Sequence, residues 1–140
     1  MQKRNIHFLL LLAASLNLFT AFLHLIAGQG DLVVPMWSSD MGLAEQTQWL
    51  AAWHMITLFL FASAWVLGKA AIQQSVTPQL LSFLGWCYLL FSLSFIGSSL
   101  YMGEFAPQWV LLLPIGLLTL WGNKQGKSQE GILQKNKQQA

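Results

Sequence analysis

The chain has 140 residues and a formal charge of +2, with 55% apolar and only 9% charged side chains, whereas a soluble domain carries about a quarter charged residues. That balance excludes a water-soluble globular domain. The single cysteine, Cys87, excludes an intramolecular disulfide or a cysteine metal cluster, and the few cations form no basic face for nucleic acid.

The first apolar stretch covers residues 8–27 without a charge, which at about 1.5 Å per residue crosses roughly 30 Å of hydrocarbon. Lys3 and Arg4 precede it as they would a signal peptide. The stretch is longer than an h-region of about 7 to 15 residues and no A-x-A site follows, so it reads as a retained span. Further spans are expected over residues 49–68, 80–101 and 105–121, the last interrupted by Pro114. Residues 123–140 are rich in Gln and Lys and read as a disordered tail. The expected architecture is all-α: one domain, residues 1–122, forming an integral membrane four-helix bundle of up-down topology.

Orientation follows from charge. Lys3, Arg4, Lys69, Lys124, Lys127, Lys135 and Lys137 are all seven Lys and Arg residues, and they fall at the N-terminus, in the second loop and in the tail. Asp31, Asp40, Glu45 and Glu104 occupy the other two loops. The positive-inside rule predicts cytoplasmic N and C termini. Tryptophans near the expected helix ends, Trp49, Trp53 and Trp109 on one side and Trp65, Trp86 and Trp121 on the other, read as aromatic belts.

Helical spacing sets small and polar residues on stripes: Asn17, Thr20, His24 and Gly28 in the first helix, Ala51, His54, Thr57, Ala64 and Gly68 in the second, Ser82, Gly85, Ser92 and Ser99 in the third. Such stripes face other helices and let them approach closely. His24 and His54 stand out, because ionisable groups inside a membrane are costly and call for a partner or a role. The topology brings both to the outer leaflet, with Tyr101, Glu104 and Gln108 entering from the second hairpin. Each imidazole hydrogen-bonding a neighbouring Thr, Asn or carboxylate is the plain reading. Ligation of haem b by His24 and His54 is a cofactor reading, and copper held by His24, His54, Met55 and Met102 is another. Asn17, Thr57, Tyr101, Glu104 and Gln108 would support either.

The strings His24-Leu25-Ile26-Ala27-Gly28, Trp53-His54-Met55-Ile56-Thr57 and Pro107-Gln108-Trp109, the last running into Leu111 to Gly116, resemble a family of small bacterial inner-membrane proteins of uncharacterised activity. The resemblance implies a four-helix bundle in a bacterial inner membrane and assigns no activity to any residue. No nucleophile with a spaced base and no phosphate-binding loop is present. The chain therefore reads as non-enzymatic and without a cofactor. Its expected role is that of an accessory or scaffold subunit whose partners are the lipid bilayer and a membrane protein or a second copy of itself; a haem or copper redox protein is the alternative.

Overall fold

A computed structural model describes residues 7–73 and 75–138, with side chains as far as residue 126. Among the described residues there is helix and no strand. Four long helices make the fold: α1, Phe8–Gly28; α2, Leu43–Gln73; α3, Pro78–Met102; and α4, Trp109–Gln138. Lys3 and Arg4 lie outside the described residues. Three helices are long and apolar enough to cross a membrane, α1 with its extension to Trp37, α2 and α3.

Local chemistry explains the helix ends. Thr77 caps α3 by accepting the Leu80 N–H, and Pro78 follows at the first helical position, where its missing N–H costs nothing. Gly103 ends α3 in the left-handed region at φ 71°, with its N–H on the Ser99 carbonyl. Glu45 in the first turn of α2 complements the positive end of the helix dipole.

Five boundaries differ from expectation, one of them the end of α2, which runs to Gln73 and takes in Lys69 where a loop is expected after residue 68. Beyond Gly28, α1 continues through a π turn, Gln29–Val33, and one more helical turn, Val34–Trp37. Buried Val33 and Met36 hold that extension by packing on Trp53 and Leu50 of α2, contacts that hydropathy does not register. α2 begins at Leu43 rather than 49. The fourth helix starts at Trp109, not 105, and runs through Pro114, whose missing N–H leaves the Val110 carbonyl without its helical partner. It then passes residue 121 and reaches Gln138 where a disordered tail is expected. Asn123 supplies the reason for the first of those extra residues: it is buried, and its Nδ2 donates to the Pro78 carbonyl and to Ser82 Oγ, each at 2.8 Å.

α1 packs against α2 and α4, and α4 packs against α3. Each pair runs antiparallel: His24 meets Thr57 while the His7 N–H meets the Ala71 carbonyl, and Gly122 of α4 lies on Leu10 of α1. Phe59 of α2 closes the fourth side on Tyr88 and Phe91 of α3. The core is one apolar column built from Leu10, Leu60, Leu67, Leu84, Tyr88 and Ile115 with small alanines between them. Large apolar side chains such as Phe8, Ile26, Leu58 and Phe83 cover the outside, which reverses the surface of a water-soluble bundle.

The stripes of α1 and α3 face inward as spaced, with Asn17, Thr20, Gly85 and Ser92 all buried. That of α2 does so only in part. Its inward line runs through Trp53, Thr57, Leu60, Ala64, Leu67 and Ala71, leaving Ala51 and His54 exposed. The large indole of Trp53 takes the position that small-residue spacing assigns to its neighbours, so Trp53 is a core residue rather than a belt residue. Trp49, Trp65, Trp86 and Trp121 do face outward.

α3 and α4 approach closely at two glycines. A Cβ on Gly116 would stand 3.0 Å from the Gly85 carbonyl and 2.9 Å from the Leu89 side chain, whereas one on Gly97 would meet nothing within 4 Å. Gly116→Ala is therefore expected to destabilise the bundle by about 1–3 kcal/mol through overpacking. Gly97→Ala should be neutral or stabilising by up to about 1 kcal/mol through helix propensity. Unfolding of the two variants in mixed micelles measures the contrast.

Candidate functional site

Two polar clusters lie within the bundle. The central one joins three helices. Asn17 Nδ2 of α1 donates to Ser63 Oγ of α2 at 3.0 Å, and Tyr88 Oη of α3 donates to Asn17 Oδ1 at 2.8 Å. Ser63 Oγ and Tyr88 Oη are themselves 2.6 Å apart, closing a three-membered ring of contacts. Ser63 also reaches the carbonyl oxygens of Phe59 and Leu60. Asn17 and Tyr88 are fully buried, and Ser63 is 3% exposed. An amide or phenol without partners here would lose its full solvation energy, so the mutual bonding is what permits the cluster to exist.

Helical spacing alone puts Asn17 on an inward stripe, and on α3 it singles out Gly85 and Ser92 rather than Tyr88. The signal was available: Tyr88 falls three residues after Gly85 and four before Ser92, on the same face. Ser63 reads alone as an ordinary small residue, because its partners are 46 and 25 positions away.

The second cluster sits at the end of the bundle where α1 runs into its π turn. His24 Nδ1 and Thr57 Oγ1 are 3.0 Å apart. Thr57 Oγ1 also reaches the Trp53 carbonyl at 3.1 Å; when it donates there, its oxygen accepts from His24 in the tautomer protonated at Nδ1, whose Nε2 is an acceptor. The His24 ring stacks on Trp53, with centroids 3.8 Å apart and planes 16° from parallel. Trp53 in turn stacks more loosely on Trp49 at 6.4 Å. Position 28 must be glycine for this to fit, since a Cβ there would lie 2.5 Å from Trp53 Cζ2.

The other candidate residues divide. Thr57 joins His24 directly, and Asn17 belongs to the central cluster instead. His54 follows Trp53 by one residue and so points about 100° away around the helix. It is exposed and makes no ring contact with His24 among the described residues. Met55, Tyr101 and Met102 are exposed, at 69%, 88% and 69%, and Glu104 is exposed as well. Gln108 is half-buried, with its side-chain oxygen buried and without a partner. One face of the His24 imidazole is covered by Trp53, and the His54 side chain is exposed. Met36, another thioether on this side, is packed in an apolar cluster. Among the described residues no three of His, Cys, Asp and Glu are grouped to hold a metal ion.

No family model matches the chain, and no curated protein or solved structure matches it.

The two histidines should separate in a stability measurement. His24→Ala removes a hydrogen bond and a ring stack and is expected to cost about 1–2 kcal/mol. His54→Ala, on an exposed face, should stay within about 0.5 kcal/mol of the parent. Equal losses would contradict the placement.

Proposed function

We propose that this chain is a bacterial inner-membrane protein that crosses the bilayer four times with both ends in the cytoplasm, and that it serves as a non-enzymatic accessory or scaffold subunit. The observation that carries the reading is the central cluster. At the middle of α1, where a transporter or redox protein would place its working groups, Asn17, Ser63 and Tyr88 are bonded to one another. Their polar capacity serves cohesion between helices. Tyr88 is, with Leu67 and Ile115, among the largest fully buried side chains of the interior.

The orientation rests on the sorting of cations, supported by Lys69 standing 5.0 Å over the outward ring of Trp65, as a residue snorkelling at the cytoplasmic interface would. The fourth crossing rests on the antiparallel packing of α4 along α1, which gives its apolar first half the same surroundings as the other three helices.

A scaffold needs an outward surface on which another helix can seat. The face of α3 bearing Ser94, Gly97 and Ser98 is exposed, and the Ser94 hydroxyl is already satisfied by its own Leu90 carbonyl. Small residues of this kind permit close helix contact in lipid. Placing Gly97→Cys in a Cys87→Ser background and oxidising native membranes should yield a disulfide-linked adduct with a second copy or with a distinct membrane protein. An unmodified monomer at Gly97→Cys and at cysteines on the other outward faces would contradict the scaffold reading.

A further inference from the structure

The end of the bundle around Trp53 holds more polar capacity than its own side chains satisfy. Trp53 is only 6% exposed, yet its indole N–H is buried without a partner. The indole edge that carries Nε1 lies along α1 at Gly28, where a Cβ would stand 2.5 Å from Cζ2 and 3.8 Å from Cε2, the carbon bonded to Nε1. The next residue, Gln29, has a buried side-chain oxygen without a partner. His24 stacks on the same indole, and in the tautomer protonated at Nδ1 its Nε2 is an acceptor.

Gln108 adds a third buried and partnerless atom, its Oε1. Gly122 lies against Leu10, and fourteen residues along each strand of that antiparallel pair, from 10 to 24 and from 122 to 108, bring Gln108 level with His24. α1 itself departs from regular geometry here: the Val34 N–H bonds the Gln29 carbonyl, five residues back. Single π turns of this kind recur at functional sites.

Chain atoms alone leave the Trp53 indole N–H without an acceptor and the Gln29 and Gln108 side-chain oxygens without a donor at this end of the bundle, and none of these three side chains is charged. A buried polar atom that nothing meets loses its solvation without return, which favours a partner there. A charged ligand would find no counter-ion among His24, Gln29, Trp53 and Gln108. A carbonyl would satisfy only the indole N–H. A hydroxyl oxygen fits the whole set, because it accepts from Trp53 Nε1–H while donating to Gln29 Oε1 or His24 Nε2, and it remains compatible if the Gln29 amide is turned over.

We propose that His24, Gln29 and Trp53, with Gln108 at the same level, form a binding site for a hydroxylic ligand that accepts the Trp53 indole N–H. Two sources offer that chemistry: a buried water, and the hydroxyl of a membrane-dissolved alcohol. An apolar groove of about 160 Å³ lined by Phe19, Phe22, Leu23, Ile26 and Ala27 opens on α1 beside His24, which gives the aliphatic remainder of an alcohol a place to lie.

The test uses the full chain, 15N-labelled at its seven tryptophans, in nanodiscs of deuterated lipid. The Trp53 indole resonance is assigned by its loss in Trp53→Phe. The site predicts a cross-relaxation peak from that N–H to the water resonance, or, once protonated decan-1-ol is titrated in, to the alcohol with a saturable shift. The first outcome assigns the site to water and the second to a membrane alcohol. Gln29→Leu should move the Trp53 resonance while leaving the other six indole peaks in place. A Trp53 N–H that shows neither cross peak, or that Gln29→Leu leaves unmoved, overturns the proposal. The readout does not depend on any docking partner, so it stands apart from the scaffold reading.

Discussion

The rest of the structure depends on three polar side chains that satisfy one another in an apolar interior. Apolar side chains alone do not choose a register in a bundle whose outside is as apolar as its inside, because hydrocarbon solvates leucine as well as another helix does. Asn17, Ser63 and Tyr88 do choose. Their contacts of 2.6–3.0 Å exist in only one combination of rotation and height for α1, α2 and α3, and any slip leaves a buried amide or phenol without a partner. α4 has no part in this ring. It is held instead by the glycine crossing at Gly85 and Gly116 and by Asn123 clamped to the start of α3.

The lock also organises both ends. With α1 and α2 fixed at Asn17 and Ser63, the antiparallel pairing carries His24 to Thr57 at one end and His7 to Ala71 at the other. The first of these places an imidazole ring flat against Trp53, and the glycine at position 28 gives the indole its space. The π turn that follows folds Val33 and Met36 back over the same indole. What surrounds Trp53 is thus assembled from three separate stretches, residues 24–29, 33–36 and 53–57, none of which has meaning for the site on its own.

That assembly explains how far the sequence could be read. Helix number and the positions of three apolar crossings follow from hydropathy and length, and the inward stripes of α1 and α3 follow from spacing. The stripe of α2 is only partly legible because Ala51 and His54 compete with an indole at 53, and spacing alone does not say which side chain the neighbouring helix accommodates. The end of α4 misled because composition after Trp121 is polar, while one residue, Asn123, finds two acceptors on α3 that are distant in sequence. His24 was legible as a polar residue needing a partner, and Thr57 as a candidate for it. Equal depth on neighbouring helices relates His24 to His54, and the structure leaves His54 exposed while Trp53, one residue before it, takes the ring of His24. Tyr88, the hub of the interior, looked like one aromatic among many until Asn17 and Ser63 stood beside it.

A double-mutant cycle on Asn17 and Tyr88, read by equilibrium unfolding in mixed micelles, tests the central claim most directly. If the ring holds the bundle, Asn17→Leu and Tyr88→Phe each destabilise it, and the double variant loses less than the sum of the two, with a coupling of about 0.5–2 kcal/mol. Strict additivity would mean that the two side chains do not meet in the bilayer, and the account built on them would be wrong.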